Sequence, residues 1–212
     1  MEPHGGMPVA TRGAPLESAR AAMIMIHGRG SSAEDLLSLS GEFFDPAIAY
    51  LAPQAAGNTW YPHSFLAAIA SNEPGISSGI AVIRELEDRA ARAGIPSERL
   101  FLLGFSQGAC LTLEYAARNA RRFGGIAGLS GGLIGPEGTP REYGGSFEGT
   151  SVFLGCSSFD PHIPEQRVRL TEKVCTALGA KVSMRLYPEP GHTINDEEIR
   201  IVGEMVRSLR PA

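Results

Sequence analysis

The 212-residue sequence is poor in cysteine, with three cysteines against 26 glycines and 15 prolines. Cys110, Cys156 and Cys175 are odd in number, lack Cys-x-x-Cys spacing and lie in apolar segments. We therefore expect free, buried thiols in a reducing compartment. No apolar run reaches the roughly 20 residues of a transmembrane helix, and no basic stretch leads into an apolar one near the N-terminus. These absences predict a cytoplasmic protein without membrane insertion.

The sequence also lacks an excess of basic charge. Its 19 Lys and Arg residues against 23 Asp and Glu residues give a formal net charge of −4. Nucleic acids and anionic membrane surfaces are therefore not expected as partners. There is no His-Glu-x-x-His, no P-loop lysine motif and no Gly-x-Gly-x-x-Gly after the first strand, so no metal and no other cofactor is predicted. The residues leave the oligomeric state, monomer or homodimer, open.

Continuous apolar runs alternate with amphipathic ones along the chain. Strands are predicted at 22–27, 48–53, 99–105, 125–130, 151–156 and 182–187, and helices at 32–39, 76–93, 107–119, 164–178 and from 195 onward. Strands that are apolar throughout and separated by helices indicate a mostly parallel sheet with helices on both faces. The fold class predicted is therefore a three-layer α/β domain.

A chain of this length fits one domain, predicted to span residues 1–212. Residues 1–20 are expected to form an antiparallel edge strand or a partly disordered N-terminus. Residues 54–75 are predicted to be a long loop, and long loops in compact domains are often functional. The Gly/Pro-rich segment 131–149 is predicted to lie outside the core because of its polarity.

Two segments match the Gly-x-Ser-x-Gly pattern of a nucleophile elbow, one around Ser106 and one around Ser130. An elbow needs a strand before the serine and a helix after it, so that the hydroxyl is exposed above the sheet. Ser106 lies between a predicted strand and a predicted helix. Ser130 also ends a predicted strand, but the Gly-Gly-Leu-Ile-Gly-Pro of residues 131–136 cannot begin a helix. Ser106 is therefore the predicted nucleophile, and Ser130 a small residue at a strand end.

Only two histidines follow Ser106, namely His162 and His192. His192 lies in the loop between the last strand and the last helix, beyond the carboxyl end of a strand, where open α/β sheets build their sites. We predict His192 as the base, with His162 as the alternative. Asp160 follows a predicted strand and fits the chain order serine, acid, histidine, so it is the predicted acid. Asp196 is interpreted as a carboxylate at a helix start.

A serine hydrolase also needs hydrogen-bond donors for the oxyanion. The backbone N–H of Gln107, at the positive end of the predicted helix, and that of Arg29, in the turn after the first strand, are predicted to supply them. We interpret His27 as a residue that anchors this turn. The Arg29 guanidinium is expected to pair with a carboxylate or to line the pocket mouth, because an unpaired buried charge is costly. The predicted substrate contacts are Trp60, Tyr61, Phe65, Leu66, Phe159 and Ile163.

Three motifs in order resemble the phospholipase/carboxylesterase family of α/β-hydrolases, which includes the acyl-protein thioesterases. They are Gly104-Phe105-Ser106-Gln107-Gly108-Ala109, Asp160-Pro161-His162-Ile163-Pro164 and Gly191-His192. The resemblance implies an α/β-hydrolase fold without a large lid, and hydrolysis of carboxylic esters or thioesters without a metal. It also implies Ser106, Asp160 and His192 as a triad, with backbone donors at Arg29 and Gln107. The acyl-protein thioesterases usually carry an apolar residue where Arg29 stands.

These observations together predict a serine carboxylesterase that acts on small-molecule esters through an acyl-enzyme on Ser106. Because Arg29 makes one wall polar, esters with short acyl chains are expected to be better substrates than those with long ones. Two alternatives remain: an acyl-protein thioesterase or lysophospholipase acting on long acyl chains, and a catalytically inactive hydrolase-fold protein that only binds ligands. The complete set of serine, acid and histidine disfavours the second alternative.

Overall fold

The computed structural model describes residues 2–209, in which seven strands form one sheet in the order β1-β3-β2-β4-β5-β6-β7. The strands are β1 (Val9–Gly13), β2 (Ala21–Ile26), β3 (Ile48–Pro53), β4 (Leu100–Phe105), β5 (Gly125–Leu129), β6 (Ser151–Ser157) and β7 (Lys181–Tyr187). The helices are α1 (Ala33–Ser38), α2 (Gly75–Arg92), α3 (Gln107–Arg118), α4 (Glu165–Ala177) and α5 (Asp196–Ser208). The predicted α/β fold class is confirmed, and each predicted helix and strand has a counterpart.

The sheet is parallel except at one edge, where β1 pairs with β3 in antiparallel register. Residues 9–13 thus form an antiparallel edge strand, as expected for part of the N-terminal segment; Met1 lies outside the described residues. In β2 all six residues are buried, because helices cover both faces. Ala22, Ile24 and Ile26 pack toward α2, α3 and α4, whereas Ala21, Met23 and Met25 pack toward α1 and α5.

The helices pack on the sheet through apolar stripes, and local residues determine where they begin and end. In α2 the stripe of Ile80, Ile83 and Leu86 is buried, and each such side chain contributes about 1.5–3 kcal/mol through burial. Gly94, at φ 85°, follows the end of this helix and adopts the left-handed conformation common at helix ends. α5 begins with a capping box between Asn195 and Glu198. None of the described helices is both long and apolar enough to cross a membrane.

The prediction that the segment 131–149 lies outside the core is wrong for part of it. Leu133, Ile134 and Phe147 are completely buried. This irregular backbone can be buried because its polar groups find partners: the Leu133 N–H donates to Thr171 Oγ1 (3.0 Å), and Arg167 donates to the carbonyl oxygen of Leu133 (2.6 Å). Composition alone did not reveal these side-chain partners on α4.

Candidate active site

Ser106 occupies a strained turn between β4 and α3. Its backbone has φ 54° and ψ −121°, a region that costs a residue other than glycine about 1–3 kcal/mol. A Cβ at Gly104 would lie 2.4 Å from the Gly108 carbonyl oxygen, and one at Gly108 would lie 2.0 Å from the Ile26 carbonyl oxygen. The two glycines therefore allow α3 to pack directly on β4 and β2. This packing maintains the strained turn, which places the Ser106 hydroxyl at the carboxyl end of the sheet.

The structure brings Ser106, His192 and Asp160 together from three separate loops. Nε2 of His192 lies 2.7 Å from the Ser106 Oγ, and Nδ1 lies 2.7 Å from Oδ2 of Asp160. The His192 ring packs against Phe105, at 5.2 Å between ring centroids, and against His162, at 4.8 Å. These neighbours hold the imidazole in the orientation that both hydrogen bonds require.

The carboxylate of Asp160 is fully buried, yet it is well supplied with donors. Its Oδ1 accepts the backbone N–H groups of His162 (2.8 Å) and Ile163 (3.0 Å). Burial raises the pKa of Asp160, but the hydrogen bonds from His192 and from these two N–H groups outweigh burial and hold the pKa below its usual range. An ionised Asp160 accepts the Nδ1–H of His192, which leaves Nε2 free to accept the Ser106 hydroxyl proton.

The alternative base, His162, does not bond Ser106. Its backbone N–H donates to Asp160, and its exposed ring packs edge-on against His192. His162 thus supports the position of the other two side chains and lines the cleft above Ser106. Sequence order left both histidines open as the base, and this spatial arrangement separates them.

The two backbone N–H groups predicted as oxyanion donors have no hydrogen-bond acceptor within residues 2–209. Gln107 is the first residue of α3, so its N–H has no acceptor within the helix. The Arg29 N–H makes no hydrogen bond to any of residues 2–209. A Cβ at Gly28 would lie only 3.2 Å from the Ser106 Cβ, so this glycine lets the turn after β2 approach the serine closely. Both predicted donors therefore lie in backbone adjacent to Ser106.

The Gln107 side chain has a second task that the sequence did not reveal. Its Oε1 accepts the backbone N–H of Trp60 (2.8 Å) and the Thr59 hydroxyl (3.2 Å), and its Nε2 donates to the Tyr61 carbonyl (2.8 Å). The start of α3 is thereby fastened to the long loop 54–75. A single polar residue next to the serine positions both a predicted oxyanion donor and one wall of the cleft.

Two buried histidines also form hydrogen bonds to the loop 54–75. His27 accepts the Ala55 N–H at Nε2 (3.1 Å) and donates from Nδ1 to the Gly28 carbonyl (2.8 Å). His4 accepts the Ala56 N–H at Nδ1 (3.1 Å) and donates from Nε2 to the Trp60 carbonyl (2.8 Å). Burial lowers the pKa of both imidazoles, which favours these neutral forms. Nothing in the sequence around His4 indicated this contact.

The Arg29 guanidinium does not pair with a carboxylate, which was one of the two expectations. It donates to three consecutive backbone carbonyls, those of Tyr61 (2.8 Å), Pro62 (3.0 Å) and His63 (2.8 Å). These carbonyls protrude from an irregular loop that leaves them without strand partners. Arg29 itself is exposed and lines the cleft, in keeping with the other expectation.

A cleft of about 380 Å³ opens above Ser106. It is lined by Arg29, Tyr61, Pro62, His63, Ser64, Phe65, Ser106, Gln107, Cys110, His162, Ile163 and His192. Tyr61, Phe65 and Ile163 were predicted contacts. Pro62, His63 and Ser64 were missed because their positions depend on how the long loop folds, and Cys110, which lies on α3, was interpreted from the sequence only as a core residue. The three cysteines are free and buried, as predicted, and burial raises the pKa of the Cys110 thiol to about 12.

The other three predicted contacts do not line this cleft. Trp60 is completely buried behind the loop, where its indole N–H donates to the His27 carbonyl (2.9 Å). Leu66 is half-buried and packs against the core. Phe159 points outward, with 67% of its surface exposed. Aromatic character indicated burial correctly for Trp60, but it could not indicate which side of the loop the ring occupies.

Comparison with known proteins places this geometry in a family. The profile of the phospholipase/carboxylesterase family matches residues 13–209. The chain belongs to this family. A crystal structure of a phospholipase/carboxylesterase from Dyadobacter fermentans is 41% identical, with a TM-score of 0.93, over 98% of this chain and 99% of that one.

Curated relatives carry a related name. The acyl-protein thioesterase 1 of Eremothecium gossypii is 31% identical over 96% of this chain and 94% of that protein. That of Gibberella zeae is 29% identical over 65% of this chain, and the match spans only 59% of that protein. Membership of this hydrolase family supports an esterase or thioesterase.

Proposed function

We propose that this protein is a serine carboxylesterase that hydrolyses small carboxylic esters through an acyl-enzyme on Ser106. The observation that carries the proposal is the unbroken chain of two 2.7 Å contacts from the Ser106 hydroxyl through His192 to the buried Asp160. This arrangement couples a nucleophile to a base and an ionised acid. Its three free, buried thiols fit a reducing cytoplasmic compartment.

In the first half-reaction, Ser106 Oγ attacks the ester carbonyl carbon while its proton passes to Nε2 of His192. The carbonyl oxygen becomes an oxyanion, which the N–H groups of Arg29 and Gln107 stabilise. The intermediate then collapses, His192 returns the proton to the leaving alcohol, and the acyl group stays on Ser106. Asp160 remains ionised throughout and stabilises the imidazolium that forms on His192.

In the second half-reaction a water molecule replaces the alcohol. His192 takes a proton from the water, the hydroxide oxygen attacks the acyl carbon, and the same two N–H groups stabilise the oxyanion. Collapse of this intermediate expels Ser106, which recovers its proton from His192. The products are a carboxylic acid and an alcohol, and water is the co-substrate.

The cleft favours short acyl chains over long ones. Its apolar walls are confined to a few side chains such as Phe65 and Ile163, whereas Arg29, His63 and Ser64 supply an exposed polar border. Leu66 and Phe159, which would have extended the apolar surface, lie elsewhere. A long alkyl chain would therefore leave much of its surface in water and gain little free energy of binding.

A panel of 4-nitrophenyl esters and matched acyl thioesters tests this proposal. We expect kcat/KM for the butyrate ester to exceed that for the palmitate ester, and oxygen esters to be hydrolysed at least as well as thioesters. The relatives named acyl-protein thioesterase supply the competing candidate. A marked preference for palmitoyl thioesters would establish that candidate and refute the short-chain carboxylesterase.

A further inference from the structure

The cleft carries a positive charge, whereas the chain as a whole is acidic. The sequence has more acidic than basic residues, with a formal net charge of −4. Around the cleft, however, the lining includes the cation Arg29 and contains no aspartate or glutamate. A concave site with an unopposed charge attracts ligands of the opposite sign. Ester hydrolysis by itself does not require a cation in this position.

The position of the Arg29 charge is fixed. Three of its N–H groups donate to the carbonyls of residues 61–63, so the guanidinium cannot swing out to solvent without losing three hydrogen bonds. A guanidinium carries five N–H donors. Its Nε–H and one N–H of Nη1 therefore remain, and neither has a hydrogen-bond partner within residues 2–209. A guanidinium that is held in place and has two unpaired N–H groups can bind an anion.

No carboxylate of the described chain neutralises this charge, since Arg29 forms no ion pair within residues 2–209. Glu34 and Asp35 both lie in the first turn of α1, where Asp35 accepts hydrogen bonds from the Ser31 hydroxyl (3.1 Å) and the Ser32 N–H (3.0 Å). Asp160 is fully buried beneath His192 and accepts hydrogen bonds there. The wall of the cleft formed by residues 61–63 and the bonded Arg29 is therefore its positive side.

We propose that the preferred substrates are esters that carry a carboxylate a few carbons from the scissile bond, such as half-esters of short dicarboxylic acids. The substrate carboxylate accepts a hydrogen bond from one of the two unpaired guanidinium N–H groups of Arg29, while the ester carbonyl oxygen accepts from the backbone N–H groups of Arg29 and Gln107. This inference rests on the proposed esterase activity and specifies its substrate class. It also matches the small, polar-bordered volume of the cleft.

The test compares two substrates of equal length, mono-4-nitrophenyl glutarate and 4-nitrophenyl pentanoate, which differ only in a terminal carboxylate in place of a methyl group. We expect wild-type kcat/KM to favour the glutarate by about fivefold or more, as for a charge pair in a partly solvated site. High salt should reduce this ratio, because the interaction is between charges near solvent. A second pair, 3-carboxyphenyl and phenyl butyrate, places the carboxylate on the alcohol side and locates the anion.

Variants at Arg29 identify the cause. Arg29→Gln should bring the glutarate-to-pentanoate ratio close to 1, and Arg29→Lys should retain part of the preference. Using the ratio removes any general loss of activity caused by the freed 61–63 loop. Arg200→Gln is the matched control, because it removes the same charge from an exposed position on α5 that does not line the cleft; its ratio should equal that of the wild type.

A ratio that Arg29→Gln leaves unchanged, or no carboxylate preference in either substrate pair, overturns this inference while leaving the esterase proposal intact. If wild-type protein hydrolyses none of the four esters, the esterase proposal fails instead. In that case, calorimetric titration of Ser106→Ala with the same glutarate and pentanoate esters decides the inference. Tighter binding of the glutarate, lost in the Ser106→Ala/Arg29→Gln double variant, supports it, and equal binding refutes it.

Discussion

The two Gly-x-Ser-x-Gly turns lie side by side in the sheet and share nearly the same backbone strain. β4 and β5 pair in parallel register up to Phe105 and Leu129, and the serines that follow have φ values of 54° and 49°. After Ser106 the chain enters α3, whereas after Ser130 it continues as irregular, buried chain. Ser130 is 1% exposed, and its N–H donates to the Gly155 carbonyl (2.7 Å).

The comparison shows that a strained serine is not sufficient for a nucleophile. Both turns bend the chain at the carboxyl end of a strand, but only the first has a helix start that supplies a free N–H and a histidine within hydrogen-bond distance. Ser130 is enclosed by the residues that follow it, so no substrate can reach its hydroxyl. The surroundings of each turn, rather than its own conformation, decide its chemistry.

The largest effect should come from replacing the two serines in parallel. Ser106→Ala should lower kcat by about 10⁶, the typical loss for a triad serine, because no other hydroxyl occupies that position. Ser130→Ala should leave kcat nearly unchanged, because Ser130 is buried away from the cleft. Measuring 4-nitrophenyl butyrate hydrolysis by both variants checks this, and activity lost in Ser130→Ala instead would reverse the assignment.

Asp160→Asn should have the next largest effect. An amide in this position can donate to Nδ1 of His192 and thereby favour the wrong tautomer, which should lower kcat by about 10⁴. Because the pKa of Asp160 is held below its usual range, the ionised carboxylate stabilises the folded protein above its unfolded-state pKa. That contribution is lost as the pH falls through the folded-state pKa. Urea unfolding should therefore show a deficit for Asp160→Asn at neutral pH that shrinks toward acid pH.

Corresponding glycines of the two turns should differ in their tolerance of alanine. A Cβ at Gly104 would meet the Gly108 carbonyl oxygen at 2.4 Å, whereas a Cβ at Gly128 would meet the Leu113 Cδ1 at 2.6 Å. The Gly108 carbonyl is part of the backbone and cannot move away, whereas the Leu113 side chain can rotate. We expect the free energy of unfolding to fall by about 3 kcal/mol for Gly104→Ala and by about 1 kcal/mol for Gly128→Ala. Equal losses in urea titrations would show that the first turn is not the more tightly packed one.

A smaller effect concerns the carboxylate behind the second turn. Glu198 lies against Gly155, and its buried Oε1 has no hydrogen-bond partner in the part of the chain that the structure describes. Burial raises the pKa of Glu198 to about 7. The folded state therefore holds this proton more tightly than the unfolded state, and its contribution to stability is lost as the pH rises toward and through 7.

Glu198→Gln tests this contrast with Asp160. The amide keeps an acceptor for the Asn195 N–H and cannot ionise. The free energy of unfolding of the variant, relative to the wild type, should therefore be about 1–2 kcal/mol greater at pH 8 than at pH 5. Chemical denaturation at both pH values measures the difference. A gain that is the same at both pH values would show that ionisation of Glu198 is not the cause.

The sequence was informative where a local pattern has one structural solution. The apolar runs predicted the strands to within about a residue, and the helical pattern after Ser106 distinguished the two serine motifs. The partners of irregular backbone were not predictable. Trp60 and Arg29 depend on how the loop 54–75 folds, and that fold depends on distant residues such as His4 and Gln107. Long-range hydrogen bonds of this kind leave no periodic trace in the sequence.

Labelling with a fluorophosphonate, followed by peptide mapping, tests directly whether Ser106 is the nucleophile. We expect one adduct per chain, located on Ser106 in the peptide that joins β4 to α3, and its complete loss in Ser106→Ala. It also predicts that His192→Ala slows labelling sharply, because the serine loses the base at 2.7 Å. An adduct on Ser130, or folded protein that takes up no label, would contradict the assignment of Ser106 as the nucleophile.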